Sequence, residues 1–190
     1  MIVRYGRTFC AALLAVAVSL GALSAARGAS DPLPVPVVSA CANPHLPPEI
    51  LDGAFKGDKE PLPVVDASAP DLKLRLAVAN DDKSRELGLM CVTKLRPQRG
   101  MIFVFAQSAR WDFWMKNTLV PLDMVWLDAE GTITTVAPSV PAATRSTPDD
   151  AVARRSGSGL YVIELTAGEA AADHLTVGER LDLPALHASQ

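Results

Sequence analysis

From residue 72 onward hydrophobic and polar positions alternate. Leu72, Leu74, Leu76 and Val78 share one side of an extended segment, with Lys73, Arg75, Ala77 and Ala79 on the other, the period-two pattern of a half-buried strand. Residues 101–105, MIFVF, are apolar without a break and predict a strand covered on both faces. Two more arms, 111–118 and 122–128, flank Pro121, which withholds a backbone donor where the second begins. In that second arm Leu122, Met124 and Trp126 share a face, and Asp123 lies beside Val125 and Leu127 on the other. Residues 129–131 turn the chain into a returning strand at 132–136. Another strand covers 159–165, with Tyr161, Ile163 and Leu165 opposite Val162 and Glu164, and a closing strand covers 180–183.

Two short helices interrupt the strands. Asn80 offers a cap for 81–87, Asp81 and Asp82 suit the helix's positive end, and Gly88 suits a left-handed stop. Thr166 and Glu169 have capping-box spacing for a helix over 167–175. About seven strands and two short helices, without strand–helix alternation, predict a mainly β fold. The expected architecture is an antiparallel sandwich or partly open barrel, not a parallel doubly wound sheet. The polar, proline-containing stretch 138–158 reads as a surface excursion.

The N-terminal third is different. Residues 1–26 carry Arg4 and Arg7, an apolar run from 8 to 23, then Ser24-Ala25-Ala26, the layout of a secretory signal peptide. An uncleaved anchor is the alternative, and only through it is membrane contact expected. Residues 27–70 form a proline-rich tether or arm, nine of the 15 prolines falling between 31 and 70, with room for a short edge strand at Val35 to Val38 or Val64-Val65. The domain proper is expected at 71–184, followed by a tail at 185–190.

Cleavage would remove two of 18 basic residues, leaving 16 against 21 acidic ones, a formal charge of −5. That balance argues against a nucleic-acid partner. Cys41 and Cys91 remain after cleavage, and in an oxidising compartment an even pair suggests one disulfide; two unpaired buried cysteines are the alternative. No two histidines, or histidine and cysteine, have metal-ligand spacing, so no metal or cofactor is expected. No glycine-flanked serine, phosphate-binding loop or dinucleotide fingerprint is present.

Several ordered motifs carry a family resemblance: Arg85, Glu86, Gly88, Leu89 and Met90; Gly100 to Phe105; Phe113 to Thr118 with Pro121, Leu122 and Asp123; Gly131; and Val162 to Leu165 with Ala167-Gly168. Over residues 72–183 the chain resembles Domain of Unknown Function family 192. The resemblance implies a mainly β, jelly-roll-like domain and no established activity.

Within those motifs the candidate binding residues are Arg85, Glu86, Trp114, Lys116, Asn117 and Asp123. Lys116 and Asn117 would donate hydrogen bonds, Asp123 would accept, and Trp114 or Trp126 would supply a flat wall, as a pocket for a small polar ligand or glycan requires. The competing reading is architectural: Asn117, Thr118 and Asp123 pin a tight connection, Arg85 pairs with Asp123, and Trp126 is core. Three functions follow. The first is an exported, periplasmic module, non-enzymatic, that binds a small polar ligand, glycan or partner protein. The second is a hydrolase or lyase using Glu86 and Asp123 as a carboxylate pair, and the third a structural envelope protein. Oligomeric state has no sequence signal.

Overall fold

The computed structural model describes residues 45–51 and 61–189. The signal-like segment, Cys41 and much of the arm lie outside the described residues. Six strands form one sheet: β1 (Val64–Ala69), β2 (Leu72–Ala79), β3 (Arg99–Trp114), β4 (Leu122–Leu127), β5 (Ile133–Val140) and β6 (Arg154–Thr166). They stand in the order β1-β2-β3-β6-β4-β5. The short helices are α1 (Asp82–Leu87) and α2 (Glu169–Ala172). The fold is therefore mainly β, with an open sheet. Neighbours are antiparallel except β2 and β3, because the chain between them passes through α1 and a loop and re-enters in the same direction.

The strand inventory differs from the expected seven. Residues 101–105 and 111–114 belong to one 16-residue strand, β3, which shifts register against β6 between Val104 and Ala109. At that irregularity the Phe105 and Trp111 rings stack at 3.8 Å, so polar residues between two apolar runs mark a bulge and not a strand end. Residues 180–183 make isolated bridges, Thr132 to Arg180 and Ser68 to Asp182, without forming a full strand. The sheet gains its edge at β1, which pairs along its whole length with β2.

Strict alternation gives the sheet two buried faces. One carries Ala77, Met101, Phe103, Met124, Trp126 and Val162, and is covered by residues of the 45–51, 88–97, 115–121 and 140–153 segments. The other carries Leu74, Leu76, Ile102, Val125, Ile163 and Leu165, and packs under Ala170, Leu175 and Leu181. The 115–121 connection leaves β3 where Trp114 faces Arg154 and enters β4 where Leu122 faces Thr166. It thus spans from one end of β6 to the other.

Both helices are shorter than their patterns suggested. Asp81, not Asn80, caps α1: its carboxylate accepts from Ser84 N–H at 2.8 Å, while the Ser84 hydroxyl accepts from Asp81 N–H at 3.2 Å. The Ser84 backbone bond holds the Asp81 carboxyl below its usual range. Helix α2 starts after Gly168, in the left-handed region at φ 95°, with no side-chain cap from Thr166. Glu169 accepts from Gln98 N–H at 3.0 Å; its half-buried carboxyl is shifted upward, chiefly by burial.

Candidate functional site

The 113–123 motif begins where β3 ends. Trp114 pairs with Arg154 of β6, and strand periodicity places Arg110, Asp112, Ser156 and Ser158 on the same face. Trp114 is 8% exposed. The Arg154 guanidinium lies over its ring at 4.3 Å from the centroid and the Lys116 ammonium at 5.9 Å, both within cation–π range. Lys116 also donates to Asp149 Oδ1 at 2.5 Å and to the Thr147 carbonyl at 3.1 Å. Arg154 differs: its guanidinium makes no hydrogen bond or ion pair among the described residues. Arg110, further along the same face, donates to the Ser156 hydroxyl.

Asn117 occupies the left-handed region at φ 57°, which asparagine tolerates better than most residues. Its carbonyl accepts from Cys91 N–H at 2.9 Å, and its amide Nδ2 lies 3.9 Å from the Met90 sulfur. Thr118 is buried, and its carbonyl accepts from Ala143 N–H at 2.9 Å. The connection is therefore tied to the 91 and 143 loops through its backbone. Asn117 Oδ1 and Thr118 Oγ1 are both buried without a hydrogen-bond partner.

Asp123 is at the far end of the connection, with 0% exposure. Oδ1 accepts from Ser139 N–H at 2.7 Å, and Oδ2 accepts from Gly168 and Ala170 N–H at 2.9 and 2.8 Å. The expected pairing with Arg85 does not form. Arg85, 5% exposed, donates to the Val104 carbonyl at 2.8 Å and to Asp82 at 2.7 Å, and lies 5.6 Å from the Phe105 ring centroid. Its own helix supplies the nearer carboxylate, one turn away. Glu86 is exposed on α1. Glu86 and Asp123 thus differ completely in access: one faces water, and the other has both oxygens committed to backbone donors. Of the six candidates, Trp114 and Lys116 are brought together, Asn117 shapes their connection, and Arg85, Glu86 and Asp123 stand elsewhere. Trp126 is fully buried core.

Two residues with chemical interest were passed over in the sequence. Arg154 sits inside the 138–158 stretch that read as a surface excursion, but β6 begins there, and only its register puts Arg154 on Trp114. Glu164 carried a visible signal, a lone acid inside the apolar run VIEL. It is 0% exposed, neither oxygen has a hydrogen-bond partner, and burial pushes its carboxyl up from 4.5 to about 8. Two surface clefts, of about 400 and 220 Å³, are lined in part by Ala172, His174 and Leu175, and by Glu130, Tyr161 and Leu183. None of the six sequence candidates lines either cleft. Among the described residues, no group of three or more His, Cys, Asp or Glu side chains is placed to hold a metal ion.

The model of Domain of Unknown Function family 192 (DUF192), described as an uncharacterized ACR, matches residues 64–183. The chain belongs to the DUF192 family. The match begins at the first residue of β1, so the sheet edge is part of the DUF192 domain. A crystal structure from Sinorhizobium meliloti 1021, provisionally described as a transcription regulator, is 31% identical, with a TM-score of 0.54 over 63% of this chain and 92% of that one. A protein of unknown function from Novosphingobium aromaticivorans DSM 12444 is 21% identical, with a TM-score of 0.53 over 72% of this chain and 97% of that one. The second likeness concerns the fold alone. No curated protein matches the chain.

Proposed function

We propose that this DUF192 domain is an exported, non-enzymatic binding module that receives a small anionic polar ligand, such as an acidic sugar, at the Trp114 end of β3 and β6. The carrying observation is the Arg154 guanidinium over the Trp114 ring at 4.3 Å, its donors unclaimed among the described residues. A planar fork of N–H groups held over an indole is suited to a carboxylate or phosphate. Lys116 adds a second cation on the same ring. The ligand would be a small acid and not a nucleic acid, since the chain's formal charge is −3. Asp123 supports the non-enzymatic reading, because a fully buried carboxylate that already accepts three backbone donors is not within hydrogen-bond reach of a substrate arriving from solvent.

Export is supported by the basic start and short apolar run of residues 1–26 and by Cys91, which is disulfide-bonded, as oxidising compartments permit. Calorimetric titration with matched acidic and neutral sugars, galacturonate against galactose for instance, tests the binding reading. Galacturonate should bind, weaken with added salt, and lose roughly tenfold in affinity or more in Arg154→Ala. Equal behaviour of the acidic and neutral sugars, or an Arg154→Ala protein that binds unchanged, would defeat it.

A further inference from the structure

The strand registers place Val64, Ala77, Met101, Glu164, Met124 and Ala137 in one row across all six strands. Glu164 stands at its centre, directly opposite Met101 on β3 and Met124 on β4, and all three are completely buried. Directly opposed side chains on one sheet face start about 5 Å apart at Cβ, within reach of methionine's flexible arm. Alanines at the next positions leave lateral room for the long side chains between them. Both Glu164 oxygens lack a partner, and an unpaired polar group at such depth calls for an explanation.

We propose that Met101, Glu164 and Met124 bind one soft monovalent cation of the copper(I) and silver(I) class. Thioethers are soft, neutral donors that select such ions over zinc, magnesium or calcium. The single carboxylate decides the charge. One monovalent cation and one carboxylate sum to zero, which an apolar core accepts, whereas a divalent ion would leave an uncompensated charge. The carboxyl proton leaves to solvent as the ion enters, and no bond or oxidation state otherwise changes. Searches built on histidine and cysteine spacing pass over this set, because methionine is ordinarily read as core.

The test uses the full chain with its free thiols alkylated, titrated with copper(I) under anaerobic conditions against a chromogenic copper(I) chelator. One equivalent per chain should be withheld from the chelator, and X-ray absorption should show sulfur scatterers on the bound copper. Met101→Leu with Met124→Leu, a volume-conserving pair, should abolish binding while the melting curve stays cooperative. Glu164→Gln should weaken it at least about tenfold. Leucine at Met90 and Met115 should leave it intact. A wild-type chain that holds no copper against the chelator, or a Met101/Met124 variant that holds it as tightly as wild type, overturns the proposal, and the absorption spectrum of the wild type decides the matter if the double variant fails to fold.

Discussion

Three backbone N–H groups, from Ser139 after β5's midpoint and from Gly168 and Ala170 around the start of α2, end on the carboxylate of Asp123. One buried side chain thereby fixes where two separate segments meet β4. A helix as short as α2 holds too few internal bonds to persist alone, so its position depends on that anchor. Asp123→Ala would orphan all three donors at once. At roughly 1–3 kcal/mol for each buried donor left unsatisfied, a loss of about 3 kcal/mol or more in urea unfolding is expected, and a change under 1 kcal/mol would refute the anchoring role. Glu164 presents the opposite case, a buried acid with no donor. Its folded carboxyl titrates near 8 against 4.5 when unfolded. Below pH 4.5 both states hold the proton. Between 4.5 and about 8 the unfolded chain has released it and the folded chain has not, so stability falls as pH rises, by roughly 1 kcal/mol per unit. Above about 8 the slope ends. For the metal-free protein, the stability difference between wild type and Glu164→Gln should follow that slope across pH 5 to 8; a flat difference would show that the carboxyl does not titrate as a buried, unpartnered acid.

Strands here are specified by alternation and adjusted by glycine. On β6, Gly157 faces Trp126 of β4: a Cβ built at Gly157 would sit 2.5 Å from Cδ2 of the indole. Trp126 is held from another side by the edge of Phe113, with centroids 5.8 Å apart, so it cannot yield cheaply. Gly157→Ala should therefore cost about 1–3 kcal/mol through overpacking, visible as a lower melting temperature, whereas Ala at Gly168, with nothing within 4 Å but φ at +95°, would act through backbone strain instead. These details show what was legible. The alternation at 72–79 and 122–127 and the apolar run at 101–105 are written in residue types, and they became β2, β4 and the first part of β3. What lay beyond reading was pairing. The bulge joining 101–105 to 111–114 depends on Phe105 meeting Trp111, and the contact of Arg154 with the Trp114 ring depends on register, neither of which any local pattern encodes. Arg85 and Asp123 looked like partners by charge alone; the nearer Asp82 and three amide donors claimed them first.

Across the whole molecule, the arm and the domain are linked by more than chain continuity. Leu46, Ile50 and Leu51 are buried in the same cluster as Met101 and Trp126. Leu51 bridges Leu95, Arg96 N–H donates to the Ile50 carbonyl at 3.1 Å, Arg96 Nε donates to the Leu51 carbonyl at 2.7 Å, and Leu62 N–H donates to the His45 carbonyl at 2.8 Å. This docked segment lies against the 88–97 loop that carries Cys91, whose own N–H is fixed by the Asn117 carbonyl. Cys91 is disulfide-bonded, and Cys41 is four residues before His45, a reach of at most about 13 Å. The arm's docking thus favours Cys41 as the partner over Cys10, which lies in the segment expected to be cleaved. Such a bridge closes a loop of about fifty residues and should stabilise the domain by about 2–4 kcal/mol. After expression of the full sequence in a secretion-competent bacterial host, non-reducing peptide mapping should yield a Cys41–Cys91 linked peptide and no residue before 27, and reduction or Cys91→Ser should lower the melting temperature. Recovery of a Cys10–Cys91 peptide would overturn the pairing, and recovery of a peptide that spans residues 26 and 27 would overturn the cleavage.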